Sequence, residues 1–316
     1  MTRADEPAPA VVTGATGLVG RALLRRLDAP IILTRSPDRA ATALPGAVAR
    51  RWDPEAEPAP AASLAGADVV FHLAGEPIAA GRWTAARRRR IRDSRVLGTR
   101  HLVAGLAALE RRPAVLVSAS AVGYYGDRGD ELVDERAAPG AGFLAEVCVE
   151  WEAAALAAAE LGIRVVCARF GVVLARGGGA LAAMLTPFRL GLGGRLAGGR
   201  QWMSWVHLDD VVGLLLHAAR TAAIQGPMNA VAPAPVTNAD FTRALGAALR
   251  RPALLPVPAR ALRVALGDLA EVLTASQRVS PGVARDSGYS FAFPTLPPAL
   301  AAVLDERSGV RSGGAP

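Results

Sequence analysis

Three glycines in the segment Val11-Val12-Thr13-Gly14-Ala15-Thr16-Gly17-Leu18-Val19-Gly20 constrain this chain more than any other feature. They join a short apolar run to the start of a helix with the spacing GxxGxxG. The first glycine permits a tight turn, the second removes a Cβ so that backbone N–H groups reach a phosphate, and the third lets the helix pack closely on the strand. The helix dipole then favours an anion. The flanks are those the motif requires: Ala10-Val11-Val12 before it, the helical Arg21-Ala22-Leu23-Leu24-Arg25-Arg26-Leu27 after it, then a second apolar run, Ile31-Ile32-Leu33-Thr34. A dinucleotide pyrophosphate is expected on Gly14, Thr16, Gly17, Leu18, Val19 and Gly20. Arg35 follows the second run directly. NAD-preferring sites place an Asp or Glu near this point for the ribose 2′-OH, whereas an arginine complements a 2′-phosphate by charge and by a bidentate fork. Thr34 and Arg35 are therefore expected at the adenosine end, and NADP(H) is favoured over NAD.

Strands then alternate with helices. Ala47 to Asp53 reads as a third strand ending in a carboxylate, and Asp53 either approaches the adenine or caps the following turn. Ala67 to Gly75 is a fourth, apolar strand, whose Leu73, Ala74 and Gly75 suit a backbone passing close to a cofactor. Trp83 to Leu109 is helical, Pro113 to Ser120 a fifth strand, Phe143 to Leu161 a helix and Ile163 to Gly171 a sixth strand. This alternation predicts an α/β fold: a right-handed, doubly wound parallel sheet of the Rossmann type with a smaller C-terminal substrate-binding lobe. The loop Ala121 to Asp127 would lie at the carboxyl edge, where open α/β sheets put ligands.

Glycine clusters after Ala175 mark the change to the second lobe. The expected organisation is an NADP-binding domain over 8–174, with 203–232 returning to it. A substrate lobe follows over 175–202 and 233–304, with 249–295 as a C-terminal domain of unknown function and 305–316 as a disordered tail. Within the returning part, Trp202 to Asp210 reads as a strand leading to an Asp-capped helix, Val211 to Arg220, and Gly226 to Val231 as a further strand.

With 316 residues and 51% hydrophobic content, the chain can bury a large core. Its apolar runs stop well short of the roughly 20 residues of a membrane helix, so no membrane partner is expected. Met1 to Pro7 lacks the apolar core of a signal peptide, which makes the cytoplasm the expected compartment. Cys148 and Cys167 read as buried hydrophobes, and the four histidines form no metal-ligand spacing. The charge of +8 would permit polyanion binding, with Arg87-Arg88-Arg89-Arg90 as the densest cluster. However, all 36 basic residues are arginine and no aromatic residue interleaves the cluster, so a solvated face is expected rather than a nucleic-acid site.

Six segments together resemble the extended short-chain dehydrogenase/reductase family: Thr13 to Gly20, His72 to Gly75, Ser94 to Thr99, Ser118 to Gly126, Arg169 to Leu174 and Trp202 to Asp210. The resemblance spans Val11 to Pro294. It is greatest to an atypical epimerase-like branch with an uncharacterised C-terminal domain, sugar-nucleotide-epimerase-like proteins sometimes called cell-division inhibitors. It implies that Val117, Ser118, Phe170, Gly171 and Val172 face the nicotinamide end and that Ser120 stands where the family has its catalytic serine. The family's proton relay also needs a Tyr and a Lys four residues apart on the next helix, where the lysine lowers the tyrosine pKa. This chain contains no lysine, and the equivalent positions are Leu144 and Cys148.

Two readings follow. One is an NADP(H)-dependent oxidoreductase of the epimerase/dehydratase type acting on a small carbonyl or sugar-like substrate. Ser120 would then serve as hydrogen-bond donor, Tyr124, Tyr125 or Glu146 as candidate acid, and Trp205 and His207 as substrate contacts. The other is a non-catalytic NADP(H)-binding redox sensor. Each candidate has a plainer role open to it: roofing for the tyrosines, a turn cap for Ser120, an ordinary helix carboxylate for Glu146, core packing for Trp205 and a satisfied hydrogen-bonding role for His207. The expected partner is a small-molecule substrate, with a second copy of the chain as a candidate.

Overall fold

A computed structural model describes residues 10–79 and 81–305. Seven short segments form the central sheet: β1 (Ala10–Thr13), β2 (Ile31–Thr34), β3 (Val48–Arg51), β4 (Val69–His72), β5 (Val115–Ala121), β6 (Arg164–Phe170) and β7 (Gly226–Ala230). Every pairing is parallel, in the order β7-β6-β5-β4-β1-β2-β3. Parallel neighbours need crossovers, so helices cover both faces and the inner strands are apolar without alternation.

Successive residues of β1 serve opposite cores, as the two-residue period of a strand demands. Val12 packs with Leu23 of helix Leu18–Leu24 and with Val211 and Leu215 of helix Leu208–Arg220. Val11 packs with Leu102 and Leu106 of helix Ala85–Ala107. Leu106 and Leu215 are fully buried, and cutting either to Ala would cost ~2–5 kcal/mol. A separate core joins Leu181 and Leu185 of helix Gly179–Arg189 to Phe241 and Leu245 of helix Asn238–Leu249 and to Leu300 of helix Leu296–Leu304.

Strand order reverses between β1 and β4, because β2 and β3 lie to one side and β5, β6 and β7 to the other. A crevice beyond the carboxyl ends at such a point is the usual ligand site of these sheets. The register pairs Thr13 with His72 and His72 with Ser118, which sets these strand ends level.

Several boundaries differ from those read in the sequence. β4 stops at His72, and beyond it the Ala74 N–H donates to the Thr13 hydroxyl. β5 runs past Ser120 to Ala121. The helix expected from Val211 starts at Leu208, because His207 rather than an aspartate caps it: Nδ1 accepts from the Asp209 N–H at 3.1 Å. The arginine cluster is not wholly a solvated face. Arg87 pairs with Glu76 at 2.8 Å and Arg88 with Asp268, leaving Arg89 and Arg90 exposed. Residues 8 and 9, Met1 to Pro7 and the expected tail after Asp305 lie outside the described residues. Among the described residues no helix is long and apolar enough to cross a membrane.

Candidate active site at the carboxyl edge of the sheet

The glycine loop is a cradle that side chains would fill. Gly14 has φ +69°, a left-handed conformation, and a Cβ there would lie 2.4 Å from the Leu73 carbonyl carbon. A Cβ on Gly20 would lie 2.4 Å from the Gly14 oxygen, so helix Leu18–Leu24 rests directly on the turn. Thr16 and Gly17 are exposed above it, and no side chain caps the helix. Its first N–H groups therefore remain available to an acceptor. This arrangement fits a pyrophosphate.

A buried chain of hydrogen bonds braces the switch point. The Thr99 hydroxyl donates to the Arg95 carbonyl at 2.5 Å, so its oxygen accepts from His72 Nε2 at 2.9 Å, and His72 Nδ1 in turn accepts from the Thr13 hydroxyl at 2.7 Å. Burial lowers the His72 pKa to about 4, which keeps the ring neutral in this one tautomer.

Where the adenosine end is expected, Thr34 is partly buried and Arg35 exposed. Arg51, which ends β3 opposite Thr34, donates to the Arg35 carbonyl at 3.4 Å. Two arginines thus stand at this corner. The second was missed in the sequence, although its place at a strand end was the available signal. Asp53 takes the turn-capping option: Oδ1 accepts from the Glu55 N–H at 3.2 Å, and its carbonyl accepts from Ala56 and Glu57.

Leu73, Ala74, Gly75, Phe170 and Val172 lie partly or fully open at the ends of β4 and β6. Val117 and Ser118 do not: both are fully buried, because β5 continues three residues beyond Ser118 and moves the edge away from them. Gly171 serves a chain crossing. A Cβ there would lie 2.5 Å from the Ser204 oxygen, which accepts from the Val172 N–H.

Of the three expected catalytic hydroxyls, two are taken up inside the protein. Ser120, 2% exposed, donates to Glu152 Oε1 at 2.6 Å. Arg169 grips the same carboxylate with two bonds of 2.8 and 2.7 Å and donates to the Tyr125 hydroxyl at 2.9 Å. Tyr125 is fully buried and donates to Asn229 Oδ1 at 2.7 Å, and burial pushes its pKa up to about 12. Burial disfavours the charge of Arg169, but Glu152 outweighs this and raises its pKa. Ser120 and Tyr125 are therefore engaged as bracing residues as placed. Tyr124 differs. It is partly buried, the Arg169 guanidinium lies 3.5 Å from its ring centre, and its hydroxyl has no protein partner among the described residues.

The helix Phe143–Leu156 carries Leu144 and Cys148 toward the Gly123 loop. Cys148 is buried with Sγ 3.7 Å from the Ala121 carbonyl, and burial pushes its thiol up to about 12. Glu146 is on the exposed side of this helix. The two expected substrate contacts are engaged within the protein as well. Trp205 is fully buried in the separate core of Leu181, Phe241 and Leu300 and donates to the Ala234 carbonyl at 2.9 Å, while His207 caps its helix and stacks on Phe293 at 3.9 Å. Both are claimed by segments that lie later in the chain.

A pocket of about 260 Å³ opens at the start of helix Phe143–Leu156, between Gly123, Gly126 and Asp127 on one side and the segment 268–277 on the other. Arg88, paired with Asp268, forms one wall across the Phe143 ring. On another side Gln277 donates to the Gly126 carbonyl at 3.1 Å, and the Ser276 N–H to Asp127 at 3.1 Å. No sequence motif marked the 268–277 wall. Among the described residues no His, Cys, Asp and Glu cluster could hold a metal ion.

The family model for the NAD dependent epimerase/dehydratase family matches residues 10–230, and a domain of unknown function matches 257–303. An epimerase family protein of Mycobacterium bovis is 42% identical over 295 residues, covering 92% of this chain and 95% of its own length. The crystal structure of human epimerase family protein SDR39U1 with NADPH superposes with a TM-score of 0.83 at 32% identity, over 93% of this chain and 98% of that one. UDP-glucuronic acid 4-epimerase of Bacillus cereus, solved with UDP-glucuronic acid and NAD, shares the fold at 16% identity and a TM-score of 0.75, over 93% of this chain and 97% of its own.

Proposed function

The chain belongs to the NAD dependent epimerase/dehydratase family, and from that premise we propose that it is an NADP(H)-dependent oxidoreductase acting on a small carbonyl or sugar-like substrate. The observation that carries the reading is the glycine cradle under an uncapped helix, facing the switch point of the sheet. In this reading the N–H groups at Leu18 and Val19 hold the pyrophosphate, while that of Gly17 closes the turn on the Gly14 carbonyl; Arg35 and Arg51 hold the 2′-phosphate, and Leu73, Ala74, Gly75 and Phe170 border the remainder. The human relative crystallised with NADPH supports the choice of cofactor. A bound nicotinamide supplies or accepts the hydride. The substrate takes the pocket at Gly123, Gly126, Asp127 and Phe143 to Ala145, with Arg88 as its charged wall.

Tyr124 is the proton donor in this proposal, since its hydroxyl alone among the three candidates is uncommitted, and the Arg169 stack holds the ring in place. Ser120, Glu152 and Arg169 hold the end of β5 and the helix Phe143–Leu156 against each other. Calorimetric titration with NADPH and NADH, repeated on Arg35→Ala, tests the cofactor. NADPH is expected to bind at least about tenfold tighter, roughly 1.4 kcal/mol, with the preference lost in the variant. A screen of carbonyl compounds with NADPH then tests the chemistry, and Tyr124→Phe should reduce its rate at least about a hundredfold.

A redox sensor is the second reading, favoured by one observation: Leu144 and the buried Cys148 stand at the two relay positions, so neither the tyrosine nor the lysine of the pair is present there. It predicts different affinities for NADPH and NADP⁺ with no turnover of any carbonyl.

A further inference from the structure

Arg95 is a partly buried cation with no role so far. It stands one turn before Thr99 on helix Ala85–Ala107, and its guanidinium lies against the carboxyl edge: a Cβ at Gly75 would be 3.2 Å from Arg95 Cζ. Nη1 donates to the carbonyls of Glu76 and Ile91 at 3.0 and 3.1 Å. Nη2 and Nε have no acceptor among the described residues, and no carboxylate pairs with the charge, because Glu76 turns its own to Arg87. The Trp151 ring centre lies 5.1 Å from the guanidinium.

Trp151 adds an independent sign. It is 5% exposed, yet its indole N–H has no partner among the described residues. It packs with Ala119, Leu73 and Phe170, at the ends of β5, β4 and β6. Buried donors without acceptors are rare in folded proteins. Here an unpaired indole N–H and a half-satisfied guanidinium flank the same stretch of the edge. An oxygen-rich, anionic group is what they lack. Trp151 also lies on the helix that carries Cys148, three residues before it, and the Arg95 charge is felt at that thiol, where it opposes the rise caused by burial.

We propose that Arg95 positions the nicotinamide half of the dinucleotide, its free N–H groups taking ribose or phosphate oxygens. An arginine from one helix thereby provides the cation that position 148 of another does not. This rests on the NADP(H) reading above. Trp151 frames the same oxygens from the other side.

The test compares two ligands. NADPH, followed by its fluorescence, and adenosine 2′,5′-bisphosphate, which lacks the nicotinamide half, are titrated into the full chain and into Arg95→Gln and Arg95→Lys. Arg95→Gln should weaken NADPH at least about tenfold and leave the bisphosphate within about twofold, whereas Arg95→Lys should keep NADPH within about threefold. If Arg95→Gln does not fold, Arg95→Met, which keeps the stem over Trp151, takes its place. Unchanged NADPH affinity in the neutral variant overturns the proposal, and so does an equal loss for both ligands, which is the mark of a structural role. If the unaltered chain binds neither ligand, the NADP(H) reading itself fails; if it binds both and the variant behaves like it, only the role of Arg95 fails.

Discussion

Replacing Glu152 by Ala strands a buried cation, and the size of the effect follows from the geometry. The Arg169 and Glu152 side chains are 3% and 7% exposed, and their bidentate contact is joined by the Ser120 hydroxyl on the same carboxylate. In Glu152→Ala the guanidinium keeps its bond to Tyr125 and its stack on Tyr124 but loses the one carboxylate that compensates its burial. Removing one partner of such a pair costs ~3–5 kcal/mol, far more than a surface ion pair at ~0–1 kcal/mol. The double variant Glu152→Leu with Arg169→Met replaces charge by apolar volume and should recover much of that loss, because it buries no unpaired charge. Urea unfolding followed by tryptophan fluorescence measures both, and a double-mutant cycle isolates the pair. A loss below about 1 kcal/mol in Glu152→Ala, at an unchanged dependence on urea, would refute the claim that this network holds the end of β5.

Three further outcomes are expected. Gly14→Ala should abolish NADPH binding and lower the melting temperature, since Ala must adopt φ +69° with its Cβ 2.4 Å from the Leu73 backbone; a variant that binds normally by calorimetry contradicts the cradle. His72 has a depressed pKa, so below about pH 6.5 the unfolded chain takes up a proton that the native one refuses, and stability falls by roughly 3 kcal/mol as the pH drops toward 4. Urea midpoints should show that fall in the unaltered chain and a smaller one in His72→Gln. Neither thiol should react with a disulfide reagent at pH 8 until urea is added, because burial raises both Cys148 and Cys167; prompt labelling of the native chain would contradict their placement.

The glycine spacing, the strand sequence and the doubly wound order were legible in the chain because each is a local constraint. A left-handed turn accepts glycine, a buried parallel strand requires an apolar run, and a right-handed crossover leaves few ways to order such strands. The fate of the polar side chains was not legible. Ser120 at a strand end and Tyr124 and Tyr125 in the loop after it read alike as residues at a ligand edge. They are told apart by Glu152, Arg169 and Asn229, which lie 32, 44 and 104 residues away across the contacts that matter.

Trp205 and His207 likewise look available until Ala234 and Phe293 arrive from later in the chain. Arg95 is one arginine among 36, and its unpaired state exists only because Gly75 and Trp151 close around it. The sequence by itself determined a dinucleotide fold without a Tyr–Lys relay, since turn sterics, apolar periodicity and the absence of lysine are properties of the chain. Which hydroxyls stay free, which cation lacks a partner and where a pocket opens were decided by tertiary structure alone, because burial and hydrogen-bond saturation depend on segments that meet only when the chain is folded.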